Sequence, residues 1–246
     1  MNLFRIRGIQ LAVHSSFFLL LAYYAWLGWD AAGAVGAAWS VAMILAFFVC
    51  VVLHELGHSF TARRFGVNVP RILLMPIGGM AQFDSIPRQP RSELLITLAG
   101  PAVNFVIAAV LAIFLGLPRD WDAAGLPLSP LELGRYLLIA NLVMGCFNLI
   151  PVFPMDGGRI LRALLAMRLP YLSATFWAMS IGKVLAVLAT VAAFYYGYYM
   201  AAVLFIFILM AGDAEYRYVK RREAEDAHWA ETLRHLYREP PLLQQP

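Results

Sequence analysis

The sequence is poor in charged residues and in cysteine. Only 14% of its 246 residues are charged, whereas 61% are hydrophobic. This composition excludes an ordinary soluble domain, and the chain is too apolar to be disordered. The two cysteines, Cys50 and Cys146, both lie in apolar runs, so neither a disulfide framework nor a cysteine zinc site is indicated. We therefore interpret the chain as a multi-pass membrane protein.

The basic residues do not form the single stripe that nucleic-acid binding requires. The net charge is +4, but the nineteen Lys and Arg residues flank apolar runs, which is typical of membrane topology. We therefore expect the lipid bilayer, and not a nucleic acid, as a partner. No cleaved signal peptide is expected, because the first apolar run lacks a small-residue cleavage site and is long enough to span.

The apolar runs predict an all-α polytopic membrane protein with six transmembrane helices. These runs lie at about residues 15–29, 35–62, 93–117, 131–149, 173–194 and 198–212. They would form one domain over residues 1–212, and the charged residues 213–246 would form a cytoplasmic tail.

Two short segments have strand-like patterns. Residues Met1 to Val13 alternate around Gly8, which predicts a strand or hairpin at the membrane interface. Between Arg71 and Phe83, short apolar runs surround Gly78-Gly79 and are too short to span a bilayer. We expect a membrane-associated β-hairpin there, between the second and third spans.

Positive charges predict the orientation. With the N-terminus inside, sixteen of the nineteen Lys and Arg residues are cytoplasmic, and only Arg119 and Arg135 are external. Lys183 lies within a span, and its role is not assigned. We expect both termini in the cytoplasm and the chain in the cell (inner) membrane.

The second predicted span carries three ionisable side chains in five residues, His54, Glu55 and His58. Residues four apart lie on one helix face, and this spacing binds zinc and places a general base beside it. The alternative is a chance match, but each charged group at a bilayer centre costs at least about 2.5–3.5 kcal/mol. We interpret His54 and His58 as metal ligands and Glu55 as the base.

Asp156 is the candidate third ligand. It follows the predicted cytoplasmic end of the fourth span, on the same side of the membrane as His54 and His58. Pro151 and Pro154 would let an irregular segment fold back to line a cavity. A catalytic zinc takes three protein ligands and leaves one position for water, so two His and one Asp are a complete set. The alternative is a turn aspartate before Gly-Gly.

These stretches together resemble the site-2 protease family of intramembrane zinc metalloproteases. The resemblance rests on His54-Glu55-Leu56-Gly57-His58, on Asn148, Pro151 and Pro154, and on Asp156-Gly157-Gly158. Gly78-Gly79 and Gly100-Pro101-Ala102-Val103-Asn104 also match the family's pattern.

The resemblance implies a zinc endopeptidase that cuts a transmembrane protein within its span, near the cytoplasmic face. It implies one zinc per chain on His54, His58 and Asp156, with Glu55 as the base. Asn148 would be a polar group near the scissile carbonyl, where it could donate to the developing oxyanion. Its alternative role is a helix-capping asparagine.

The sequence departs from the family in carrying neither a PDZ insertion nor a C-terminal nucleotide-sensing pair, which leaves the regulatory membrane partner open. Two other functions are compatible with these residues. A zinc-transporting or metal-sensing membrane protein would also have intramembrane His and Asp, but a transporter would need ligands through both leaflets and has no use for Glu55. The other alternative is an inactive homologue that only binds membrane proteins, and an intact set of metal ligands and base argues against it.

Overall fold

The computed structural model describes residues 1–76, 78–82, 88–117 and 126–238. Phe83 of the predicted hairpin, Arg119 of the predicted external loop and residues 239–246 of the predicted tail lie outside these ranges. The described chain is mostly helical, as predicted. It divides into two compact units, Met1–Ile150 and Pro151–Pro246.

The first unit contains a four-stranded sheet in the order β1-β2-β3-β4. The strands are β1 (Asn2–Ile6), β2 (Ile9–Val13), β3 (Arg71–Met75) and β4 (Gly78–Gln82). Both segments with strand-like patterns form antiparallel hairpins, the N-terminal one predicted as a strand or hairpin and the second as a hairpin. They join through parallel pairing of β2 with β3, which aligns Gln10 with Arg71 and Val13 with Leu74.

The β1–β2 turn consists of Arg7 and Gly8, whose φ angles are 47° and 88°. Positive φ at both central residues suits the tight hairpin turn that matches the strands' twist. Ile9, Leu11 and Val13 of β2 are buried and belong to the main apolar core of the first unit. β2 therefore anchors the sheet to that core, while β4 lies at one edge of the sheet.

Helix α1 (Ser16–Arg64) is interrupted at Ala32 and Gly33, where the backbone is non-helical and Gly33 has a φ of 60°. A Cβ atom on Gly28 would lie 2.3 Å from the carbonyl oxygen of Gly36. Residues eight apart in a straight helix are about 12 Å apart. The chain therefore turns back at the break, and the two parts of α1 match the predicted spans 15–29 and 35–62.

Helices α2 (Pro90–Leu115) and α3 (Pro130–Asn148) complete the first unit. α3 begins with a reciprocal cap, in which Ser129 Oγ accepts from the Glu132 amide at 3.3 Å. The Glu132 carboxylate in turn accepts from the Leu128 amide at 2.7 Å, an arrangement that satisfies amides at a helix start. α2 packs against both α1 and α3, so it lies between α3 and the helix that carries His54 and His58.

The second unit contains α4 (Asp156–Ala166), α5 (Tyr171–Tyr195) and α6 (Tyr199–Arg238). α6 continues without a break across the predicted domain boundary at residue 213. Ion pairs connect its helices. Arg162, only 1% exposed, bonds Glu215 at 2.9 Å. Lys183, the intramembrane lysine without an assigned role, pairs with Asp213 at 2.5 Å.

Within the described ranges, four helices are long and apolar enough to cross a membrane: Ser16–Arg64, Pro90–Leu115, Tyr171–Tyr195 and Tyr199–His235. Because the first of them is broken, these four account for five of the predicted spans. The predicted span 131–149 corresponds to α3, which is not among them and carries Glu132 and Arg135 in its 19 residues. The total of six spans therefore stays a prediction.

Candidate metal centre

Two buried histidines face each other on successive turns of α1. Nε2 of His54 and Nε2 of His58 are 3.1 Å apart, and the rings meet edge to face with centroids 4.7 Å apart. The residues are 6% and 7% exposed. The spacing of four residues in the sequence thus places two imidazoles in contact, as predicted from helix geometry.

The other ring nitrogens of the two histidines are held by acceptors. His58 Nδ1 lies 2.8 Å from the main-chain oxygen of Ile96, and His54 Nδ1 lies 2.5 Å from Oδ1 of Asn104. A carbonyl oxygen can only accept, so each Nδ1 carries the proton and each Nε2 presents a lone pair. Metal-binding histidines have this pattern, in which the outer nitrogen donates and fixes the ring.

The donor set fits a divalent cation. Two lone pairs 3.1 Å apart repel each other unless a positive charge lies beside them. Imidazole nitrogen is a preferred zinc ligand. Zinc is also the metal implied by the resemblance described above.

Gly100 of α2 forms the wall of this site. A Cβ atom there would lie 2.2 Å from His58 Nε2 and 2.8 Å from His54 Cε1. Gly57 of α1 also lies close to α2, since its Cβ would be 2.7 Å from the Ala99 oxygen. The two helices therefore approach each other through glycines, and the absent side chain at Gly100 leaves room beside the imidazole nitrogens.

Glu55, beside the histidines on α1, contacts strand β4. Its Oε2 accepts a hydrogen bond from the Ala81 amide at 3.3 Å. A Cβ atom on Gly79 would lie 2.7 Å from Glu55 Cγ, so glycine is required for this approach. The sheet edge thus runs along the carboxylate that the sequence predicts to be the base.

Asn148 ends α3 and is half-buried. Its Nδ2 donates to the main-chain oxygen of Met144 at 3.0 Å, within its own helix. This is the side-chain bond to the residue four earlier that an asparagine can make inside a helix, and it does not test the capping role. The role near a scissile carbonyl stays a prediction.

Asp156 belongs to the second unit, where it is the first residue of α4 and is buried. Two residues after Asp156, a Cβ atom on Gly158 would lie 2.7 Å from the Phe153 amide nitrogen. Gly158 therefore packs closely on the segment that precedes α4. A carboxylate at a helix N-terminus is also favoured by the helix dipole. The negative charge of Asp156 is therefore favoured where it lies, at the N-terminal end of α4.

One buried polar residue near the histidines was not identified from the sequence. Asn141 of α3 is 0% exposed and accepts a hydrogen bond from Asn104 Nδ2 at 2.8 Å. Asn104 thus bonds a neighbouring helix, as polar side chains inside apolar helices commonly do. The signal for Asn141 was available, since an amide inside a predicted span needs a polar partner.

Comparison with known proteins connects this site to a family. A model described as peptidase family M50 matches residues 42–120 and 124–189. A protein named zinc metalloprotease from Methanocaldococcus jannaschii is 46% identical over 187 residues, which are 76% of this chain and 52% of that protein. Stage IV sporulation protein FB of Bacillus subtilis is 26% identical over 129 residues, covering 52% of this chain and 42% of that protein. The chain thus spans about half the length of these relatives.

A solved structure is also similar. The site-2 protease from Methanocaldococcus jannaschii matches with a TM-score of 0.61 and 38% identity, covering 88% of this chain and 94% of that one. His54, Glu55 and His58 lie in the first matched segment of the family model, and Asn148 and Asp156 lie in the second.

Proposed function

The chain belongs to peptidase family M50, and from this premise we propose that it is a zinc-dependent intramembrane endopeptidase of the site-2 protease type. The observation that carries the proposal is the buried histidine pair of α1, with Glu55 beside it. The chain is an integral membrane protein, with long apolar helices. Its proposed substrate is a transmembrane protein, cut within its span near the cytoplasmic face.

The proposed zinc ligands are Nε2 of His54, Nε2 of His58 and the carboxylate of Asp156, with one ion per chain. The orientation of both Nδ1–H groups toward acceptors supports the two histidines. The position of Asp156 at the start of α4, directly before the Gly157-Gly158 of the motif that carries the family resemblance, supports the third ligand. When bound, zinc supplies Lewis acidity, which polarises a peptide carbonyl and lowers the pKa of water.

Glu55 is the proposed general base. It takes the proton of the attacking water and later gives it to the leaving amine. One well-placed carboxylate can therefore act first as general base and then as general acid. The Ala81 amide holds Glu55 Oε2 and thereby limits the rotamers of the side chain. Glu55 lies one residue from His54 and three from His58, so it shares their end of α1.

Asn148 is the proposed donor to the oxyanion. Its Nδ2 has two hydrogens, and the bond to Met144 uses one of them. The second hydrogen can bond a substrate carbonyl. Removing an oxyanion donor typically lowers turnover by about 10²–10³.

The proposed substrate path leads to β4. A transmembrane helix satisfies its own backbone groups, so it must unwind before hydrolysis. An edge strand can receive the unwound segment by strand addition, and β4 is an edge strand in contact with Glu55. We also propose six spans, with both termini in the cytoplasm and the chain in the cell (inner) membrane, and a regulatory membrane partner stays an open question.

Metal analysis of purified protein tests the ligand set. We expect about one zinc per chain in the wild type and a large loss in His54→Ala, His58→Ala and Asp156→Ala. Thr175→Val, which alters a buried polar residue of α5, should keep the wild-type zinc content. Undiminished zinc in any of the three ligand variants would remove that residue from the proposal.

A zinc carrier remains the second candidate for the test to exclude. Zinc uptake into vesicles that survives Glu55→Gln, together with no cleavage of any membrane substrate, would favour the carrier. The proposal instead predicts no zinc uptake by either protein. It also predicts that the wild type cleaves a membrane substrate and that Glu55→Gln does not, since Glu55 is needed only for hydrolysis.

A further inference from the structure

Two buried asparagines connect His54 to the main chain of another helix. Asn141 Nδ2 donates to the Leu137 oxygen at 2.8 Å, and Asn104 Nδ2 donates to Asn141 Oδ1 at 2.8 Å. Asn104 Oδ1 then faces His54 Nδ1 at 2.5 Å. Both asparagines are 0% exposed, so these bonds do not compete with bulk water. The series crosses from α3 through α2 to α1.

The series has a fixed direction because it begins at a group that can only accept. The Leu137 carbonyl requires the NH₂ side of Asn141, which turns Oδ1 of Asn141 toward α2. That oxygen requires the NH₂ side of Asn104. Oδ1 of Asn104 is then the atom left for His54, and it accepts from Nδ1–H.

Asn104 alone would not fix the ring. A side-chain amide without a second partner can present either its oxygen or its nitrogen to a neighbour. If Nδ2 faced His54, Nδ1 would accept the bond and the proton would move to Nε2, where it would block the lone pair. His58 does not need such support, because its Nδ1 donates directly to the Ile96 main chain.

We propose that Asn141 is a positioning residue, which acts through Asn104 to hold His54 in the tautomer that binds a metal. The inference rests on the proposed function, in which His54 is a zinc ligand. Asn141 touches neither zinc nor substrate in this account. It determines whether the Asn104 amide presents its oxygen or its nitrogen to His54.

The test is ¹⁵N NMR of the histidines in the metal-free protein, with a His54→Gln protein to assign the His54 signals. We expect wild-type His54 to be the Nδ1–H tautomer. Asn141→Leu should give a mixture containing the Nε2–H tautomer, and Asn141→Ala should do the same without added bulk if the leucine variant does not fold. Asn141→Asp keeps an acceptor for Asn104 at nearly the same volume, so it should restore the wild-type signal.

Zinc affinity, measured by competition with a chelator, is the second readout. Loss of a partner that orients a metal ligand typically costs about 10–100-fold in affinity, and we expect that loss in Asn141→Leu and recovery to within about threefold in Asn141→Asp. The matched control is Thr175→Val, since Thr175 is also 0% exposed and bonds a main-chain oxygen, that of Tyr171, at 2.8 Å. It should lower the melting temperature without changing zinc affinity.

An unchanged His54 tautomer in folded Asn141→Leu or Asn141→Ala would overturn the inference. So would a lower melting temperature with unchanged zinc affinity, because Asn141 would then be only structural. Wild-type protein that binds no zinc would instead refute the proposed function. The tautomer measurement on metal-free protein would still decide the role of Asn141 in that case.

Discussion

Replacing Gly100 by alanine is the sharpest steric perturbation of the histidine pair. The new Cβ would lie 2.2 Å from His58 Nε2, whereas ordinary contact begins at 3.4 Å. The His58 ring or α2 must therefore move by about 1.2 Å, the difference between these distances. The ring has little freedom to do so, because its Nδ1 is bonded to the Ile96 oxygen of the same helix as Gly100.

A displacement of that size is incompatible with a zinc bond. Zinc–nitrogen distances are about 2.0–2.1 Å, with a tolerance of about 0.2 Å. Since disturbing the groups around a ligand already costs about 10–100-fold in affinity, the loss of one ligand should exceed about 100-fold. Chelator competition on the purified variant measures this directly.

Gly212→Ala is the matched control for Gly100→Ala. Gly212 lies in α6, and its Cβ would meet Phe153 Cβ at 3.8 Å, an ordinary contact. Alanine in a helix interior is favoured over glycine by about 1 kcal/mol, so this variant should be as stable as the wild type or more so, with unchanged zinc. Gly100→Ala protein that kept zinc affinity within about threefold of the wild type would refute the steric argument.

Two further predictions concern groups around the pair. Asn148→Ala should lower turnover by about 10²–10³ while zinc content stays constant, because an oxyanion donor is lost and no ligand is. A loss confined to thermal stability would favour the capping role instead. Ala81→Pro removes the amide that bonds Glu55 and disturbs the β4 edge, so cleavage should fall sharply while zinc stays bound. A proline scan from Ile72 to Gln82 that leaves turnover unchanged would show that the hairpin does not receive substrate.

The local part of the site was predictable from the sequence because helix geometry alone determines it. His54 and His58 are one turn apart, so their contact requires no knowledge of the rest of the fold. The hairpin at β3 and β4 was predictable for a similar reason, since its strands are adjacent in sequence. Burial of these charged groups in an apolar span added the indication of function.

Non-local features were not predictable in the same way. The parallel pairing of β2 with β3 joins residues separated by the whole of α1, and strand propensity does not identify the partner. Helix α4, between the fourth and fifth predicted spans, was not anticipated either. The contact of Asn141 with Asn104 depends on how α2 and α3 pack, and composition indicates only that each amide needs some partner.

The most direct test of the central claim, that the histidine pair and Glu55 form a proteolytic site, is mass mapping of the products of a single-span substrate. Zinc-loaded wild-type and Glu55→Gln proteins are compared in the same bilayer, after equal zinc content has been verified. The account predicts cuts in the cytoplasmic third of the substrate span by the wild type, and a rate about 10²–10⁴ lower with Glu55→Gln. Equal cleavage by the two proteins, or cuts in the outer half of the span, would contradict it.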